Sequence, residues 1–199
     1  VMPNPLTFVP VEEMPRKENI IMASGRLDDW KYKGWDILIK TWSKIASKYP
    51  DWKVLIVGTG SESSLNFLKN MATEHHVANR IEFLGFRNDI ELLYKKSSIF
   101  LLSSRSEGLP MVLIEAMSQG CAPVATDFKG RTREIITTDS EGLLANPEDV
   151  DLLSEHISRL IDDPELLRKI QRGAVERSKY YLTDHILDFW EEYLNAVVS

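Results

Sequence analysis

Cysteine is nearly absent from this chain: Cys121 is the only one in 199 residues. No internal disulfide can form, and its apolar neighbours read as a buried small residue in a reducing compartment. No general base is evident near it, which argues against thiol nucleophilic catalysis. Long apolar runs are missing too. None approaches the ~20 residues that cross a bilayer, and no signal-peptide pattern opens the sequence, so the reading is cytoplasmic. Positive charge is in short supply, with 24 Lys and Arg against 30 Asp and Glu and a net charge of −6. That balance argues against a general nucleic-acid binder, though not against a local basic pocket. His75-His76 sits at an expected helix end, and His156 and His185 fall in the terminal helical region, so no His/Cys/Asp group has metal-ligand spacing. Neither an internal repeat nor a low-complexity segment is visible.

What the sequence does have is ordinary globular material, 43% hydrophobic and 27% charged, in a length that suits one domain with a three-layer core. Apolar strand candidates are Ile20–Ser24, Val54–Val57, Ile81–Leu84, Ile99–Ser103, Pro123–Thr126 and Gly142–Ala145. Their near-continuous apolar character indicates strands buried on both faces, as in a parallel sheet. Helical patterns lie between them, and two or three helices follow the last strand, punctuated at Asp162-Asp163-Pro164. The expected fold is α/β, a doubly wound parallel sheet with right-handed crossovers. Residues 1–19 hold four prolines and little periodicity, and read as a linker or extended edge. Residues 20–180 form the main domain. Residues 181–199 form an amphipathic helix whose apolar stripe is Ile186, Phe189-Trp190, Tyr193-Leu194 and Val197. Core packing is the plain reading of that stripe, and exposure would instead mark an interface.

The most informative stretch is Ser104 to Thr126. Glu107 and Glu115 stand eight residues apart around the turn Gly108-Leu109-Pro110, between two apolar strands. A strand, a tight turn and a helix start make an anion site, because the first N–H groups lack helical partners and the dipole favours negative charge. Carboxylates at its mouth would repel phosphate but can accept hydrogen bonds from neighbouring hydroxyls. Phosphate beside hydroxyls describes a nucleotide sugar.

Glu107-Gly108-Leu109-Pro110, Glu115-Ala116-Met117, Gly120 and Pro123-Val124-Ala125-Thr126 together resemble the Glu-x7-Glu region of retaining, nucleotide-sugar-dependent glycosyltransferases of the GT-B fold, family 4 (group 1) in particular. The resemblance extends over essentially the whole chain, since Val1-Met2-Pro3-Asn4 is similar to the interdomain crossover of these enzymes. It implies the carboxyl-terminal, Rossmann-like half of a GT-B enzyme, preceded in the full protein by an acceptor domain. The final helix would then pack on that partner.

The resemblance also implies roles. Gly25-Arg26-Leu27 and Lys33-Gly34 match the family pattern in which Arg26 and Lys33 clamp the diphosphate; Lys31 is a rival, but only Lys33 precedes the glycine. Bidentate Arg and compact Lys suit phosphate oxygens. Gly58 and Gly60 would let the chain pass close to the donor, although a lone Gly-x-Gly is equally a tight turn. Phe86 or Arg87 would lie against the base. Glu107 would meet the transferred sugar and Glu115 the ribose diol. The N–H groups of Leu109, Met111 and Val112, beside Gly108, are offered to phosphate or sugar oxygens, whereas Pro110 has none. No metal or other cofactor is implied, because cationic side chains and a helix end take the metal's place.

One departure stands out. The family's Thr-Asp-x-Gly-Gly run is here Thr126-Asp127-Phe128-Lys129-Gly130, followed by Arg131-Thr132-Arg133-Glu134-Ile135, with more bulk and three positive charges. The implied function is transfer of a sugar from a nucleoside diphosphate sugar to a glycan or lipid-linked acceptor. The implied setting is bacterial surface polysaccharide biosynthesis at the inner face of the membrane. The isolated chain is expected to bind donor without transferring. A GT-B epimerase or phosphorylase, or a non-catalytic nucleotide-binding module, would use the same fold.

Overall fold

The computed structural model describes residues 4–129 and 131–198. Six strands form one sheet: β1 (Glu18–Ser24), β2 (Lys53–Val57), β3 (Ile81–Gly85), β4 (Ser97–Leu102), β5 (Ala122–Thr126) and β6 (Leu143–Ala145). All pairings are parallel and the order is β3-β2-β1-β4-β5-β6. The expected doubly wound, Rossmann-like α/β fold is present. The strand order reverses between β1 and β4, and the carboxyl ends of strands at such a switch point are where open α/β sheets place their ligand crevice.

Alternation along each strand divides the core in two. Ile21 and Ala23 of β1, Val54 and Ile56 of β2, and Ile99 and Leu101 of β4 face one layer. That layer is built from α2 (Trp35–Ile45), α3 (Glu62–Glu74) and α7 (Val150–Asp162). Met22, Leu55, Val57, Phe100 and Leu102 face the other side. There they meet α4 (Ile90–Lys96), α5 (Met111–Ser118) and, through Ala174, α8 (Pro164–Ser178). Burial on both faces is what the unbroken apolar runs required.

Helix starts follow their capping chemistry. The Asp163 side chain accepts from the Glu165 and Leu166 amides with Pro164 in the first turn, which explains the break between α7 and α8. Two short helices, α1 (Trp30–Lys33) and α6 (Thr132–Ile135), serve the loops after β1 and β5. Cys121 is buried, with its thiol pushed up to about 11 by that burial.

The last helix, α9 (Thr183–Val198), departs from core packing. Ile186 is buried, but Leu187, Phe189, Trp190, Tyr193 and Leu194 are exposed, Tyr193 by 55%. The Val197 side chain and residues 1–3, part of the crossover match, lie outside the described residues. Residues 4–17 run as an extended segment tied down at both ends. The Leu6 amide donates to the Tyr181 carbonyl, and the Lys17 Nζ donates to the carbonyls of Tyr94 and Gln119.

Gly34, between α1 and α2, is a tight backbone constraint at the carboxyl ends of β1 and β4. Its φ is +66°, and a Cβ there would lie 1.9 Å from the Ser103 carbonyl oxygen at the end of β4. Gly34→Ala is therefore expected to lower unfolding free energy by at least about 2 kcal/mol, from left-handed strain plus forced separation of the two loops. Gly108→Ala, where a Cβ meets nothing within 4 Å, is the comparison. Chemical denaturation of both variants checks this, and equal stability would contradict it.

Candidate functional site

The site starts where β1 ends. Ser24 leads to Gly25 and Arg26, the chain turns through Asp28-Asp29, and α1 closes with Lys33. Across the switch point, β4 leads to Ser103, whose hydroxyl donates to the carbonyls of Lys33 (3.2 Å) and Gly34 (2.8 Å). The two loops are thus stitched together. Two turns of chain later, Lys33 Nζ donates to Glu107 Oε1 at 2.7 Å, and the Ser104 hydroxyl donates to the same oxygen at 2.8 Å. Both side chains are largely covered, 22% exposed for Lys33 and 13% for Glu107. A charged bond in such surroundings is less screened than a surface pair and has a fixed direction. Two residues 74 apart in sequence therefore meet as one unit.

Glu115 stands in the second turn of α5, half-buried. Its Oε1 accepts from the Thr7 hydroxyl at 3.0 Å, so the segment before β1 reaches the site. Beneath it, the fully buried Tyr94 hydroxyl is 3.0 Å from Ser24 Oγ at the end of β1. Burial above all, with the nearby Glu115 carboxylate adding, pushes the Tyr94 phenol far above its ordinary value, so it stays a neutral hydrogen-bonding group. Pro110 caps α5 without a side-chain bond. The Met111 amide does not face the crevice as a free donor: it is turned back onto the Leu109 carbonyl at 2.9 Å. The Leu113 amide is likewise used by the Pro110 carbonyl. That corrects the expectation for the Met111 amide; Val112 stands in the first turn of α5, where helical amides lack i−4 partners.

The start of α5, a Lys–Glu unit and a second glutamate thus lie along the carboxyl ends of β1 and β4. The family model for glycosyl transferases group 1 matches residues 7–177. The chain belongs to the group 1 glycosyltransferases. It is 33% identical over 189 residues to an uncharacterized glycosyltransferase of Haemophilus influenzae, covering 94% of this chain and 52% of that protein. It is 32% identical to the amylovoran biosynthesis glycosyltransferase AmsD of Erwinia amylovora, covering 90% and 49%. Among solved structures, Anabaena HepE in complex with UDP superposes with a TM-score of 0.81 at 25% identity, covering 90% of this chain and 49% of that one. The chain spans about half the length of these proteins.

The remaining positions singled out from the group 1 resemblance are placed less closely. Arg26 is on the crevice loop, but its side chain is 76% exposed and lies 3.7 Å from Asp29. Gly25 packs beside the Lys33 stem, 3.4 Å from where its Cβ would be. Gly58 and Gly60 are required by packing within the protein: their Cβ atoms would meet the Gly25 carbonyl at 1.9 Å and Leu27 Cβ at 2.7 Å. Phe86, 74% exposed, follows β3 at the edge of the sheet. Gly108 is exposed, and Leu109 is half-buried. In the departing loop, Phe128 is buried, Asp127 pairs with Arg133, and the Thr132 hydroxyl donates to the Thr126 carbonyl at 2.7 Å. Gly130 lies outside the described residues. His156 and His185 bond backbone carbonyls, and among the described residues no group of three or more His, Cys, Asp or Glu could hold a metal ion. No described helix is long and apolar enough to cross a membrane.

Two charged residues were missed by the sequence reading. Arg105 joins Asp36 and Glu148, a connection without any local spacing signal. Asp28 accepts from the Ser61 amide (2.8 Å) and from the hydroxyls of Ser61 (2.7 Å) and Ser64 (2.8 Å). The start of α3 is thereby occupied by the protein's own carboxylate. The Ser61 hydrogen bonds foremost hold Asp28 down at about 2, from an ordinary 3.8. Since the folded value is depressed, the contribution is complete above pH 3.8 and disappears as pH falls through about 2. Asp28→Asn should therefore flatten the pH dependence of unfolding free energy across that window. Denaturant titrations from pH 5 down to 2 read it, and an unchanged slope would contradict the capping role.

Proposed function

We propose that this chain is the donor-binding half of a retaining glycosyltransferase that takes a sugar from a nucleoside diphosphate sugar. The observation that carries this reading is the Lys33–Glu107 unit at the carboxyl ends of β1 and β4, beside the start of α5. Among the described residues, the Lys33 and Ser104 bonds to Glu107 both fall on Oε1, which leaves Oε2 to accept from a hydroxyl of the transferred sugar. Lys33 has three N–H donors, and with one engaged by Glu107 the others can reach diphosphate oxygens. Arg26, exposed on the adjoining loop, supplies a second cation and a bidentate fork. Glu115 accepts the ribose diol. As the glycosidic bond breaks, negative charge grows on the departing diphosphate, and Arg26, Lys33 and the α5 start stabilise it. Neither glutamate is assigned as a covalent nucleophile, and the positive field makes a divalent cation unnecessary.

The complex of HepE with UDP supports a uridine nucleotide as the first donor to try. The biosynthetic role in the name of AmsD supports a place in bacterial surface polysaccharide assembly, and the acceptor we propose is a glycan or lipid-linked glycan at the inner face of the membrane. The acceptor would be held by a second domain, and the exposed stripe on α9 would pack there, consistent with relatives about twice this length. Orientation of acceptor against donor contributes several kcal/mol of barrier lowering, so this chain alone binds donor without transferring. Sugar transfer by the 199-residue chain to an oligosaccharide or undecaprenyl-linked acceptor would contradict the half-enzyme reading.

Calorimetric titration of the chain with UDP, GDP and ADP, and with their sugar conjugates, in EDTA should show binding of at least one nucleotide. Binding seen only after adding magnesium or manganese would contradict the metal-free site. Glu115→Ala should weaken nucleotide and conjugate alike, and Glu107→Ala the conjugate more, each lost charged hydrogen bond costing about 1.5–3 kcal/mol. Equal losses for both ligands in both variants would contradict the assignment of roles.

A further inference from the structure

Arg105 lies two residues before Glu107, and all five of its guanidinium N–H donors are used inside the protein. Nη1 and Nη2 grip Asp36 Oδ1 and Oδ2 at 2.7 and 2.8 Å, a bidentate pair. Nη1 also donates to the Lys31 carbonyl at 2.6 Å, and Nη2 donates to Glu148 Oε2 at 3.0 Å. Nε completes the second fork on Glu148 Oε1. The Arg105 amide itself donates to the Tyr32 carbonyl at 2.7 Å. These anchors are costly to arrange. Asp36 is only 7% exposed, and Glu148 is held at φ +69°, a left-handed conformation that glutamate rarely adopts.

With no donor left over, Arg105 has nothing to offer a ligand. Its effect falls on its neighbours in the chain. Lys31 is two residues before Lys33, and Arg105 is two residues before Glu107, so the guanidinium ties together the two segments that carry the Lys–Glu unit. We propose that Arg105 is a positioning residue of the donor site, fixing the Glu107 loop against α1 and thereby setting recognition of the transferred sugar. This rests on the donor-binding reading above. Lysine cannot replace it, because a single ammonium cannot form two forks. Burial alone would raise the Asp36 carboxyl, yet Arg105 holds it below its ordinary value, the mark of a strong internal pair.

The test is a double-mutant cycle read by calorimetry on the 199-residue chain, using UDP with UDP-glucose and GDP with GDP-mannose. Arg105→Lys should weaken the conjugate about tenfold more than the bare nucleotide. In a Glu107→Ala background the same substitution should leave that ratio within about twofold, since Arg105 acts through Glu107. A purely structural role would weaken both ligands equally and add to Glu107→Ala, and that result overturns the proposal. Glu148→Gln, which keeps the buried Asp36 paired, gives the same cycle if Arg105→Lys does not fold, with a ratio of about threefold expected. Should the parent chain bind neither nucleotide nor conjugate, the donor reading fails and the proposal with it. Binding with an additive cycle removes the positioning role alone.

Discussion

The close approach of two loops across the β1/β4 switch point is the constraint from which the site follows. Gly34 admits the Ser103 carbonyl into the space of a missing side chain, and the Ser103 hydroxyl closes the contact from the other side. Only then do Lys33 at the end of α1 and Glu107 beyond β4 reach bonding distance. Arg105 repeats the connection on the flank of the same junction. A crevice at a switch point is a general property of open α/β sheets. What is particular here is that its two walls are joined by charged hydrogen bonds, so the geometry a ligand meets is set before it arrives.

Much of this was legible in the sequence, for identifiable reasons. Strands buried on both faces leave uninterrupted apolar runs, and all six were located to within one residue except at the starts of β1 and β4, which lie two residues earlier than expected. Those strands begin at Ser97 and Glu18, because the two residues pair across the sheet by backbone bonds that need no apolar side chain. Glu107 and Glu115 were visible around the Gly108-Leu109-Pro110 turn between two apolar strands, and Lys33 through the family resemblance. The partners that orient them were not. Asp36 and Glu148 lie 69 and 43 residues from Arg105, and an ion pair across such a separation leaves no periodicity to read. The Met111 amide was misjudged because a turn through Pro110 folded it onto Leu109, a backbone detail invisible to residue type.

The two ends of the chain are placed differently with respect to the site. The segment before β1 touches it directly, through Thr7 on Glu115. The last helix carries an aromatic stripe whose period was plain in the sequence, while its exposure became visible only in three dimensions. Periodicity fixes which residues share a face but not what covers that face.

Amide chemical-shift mapping of the chain on addition of UDP in EDTA tests the location of the donor site most directly. The account predicts perturbations concentrated at Gly25, Arg26, Lys33, Gly108, Val112 and Glu115, with Ser61 and its neighbours at the start of α3 unmoved. Perturbations centred on α3, or none at the carboxyl ends of β1 and β4, would contradict it.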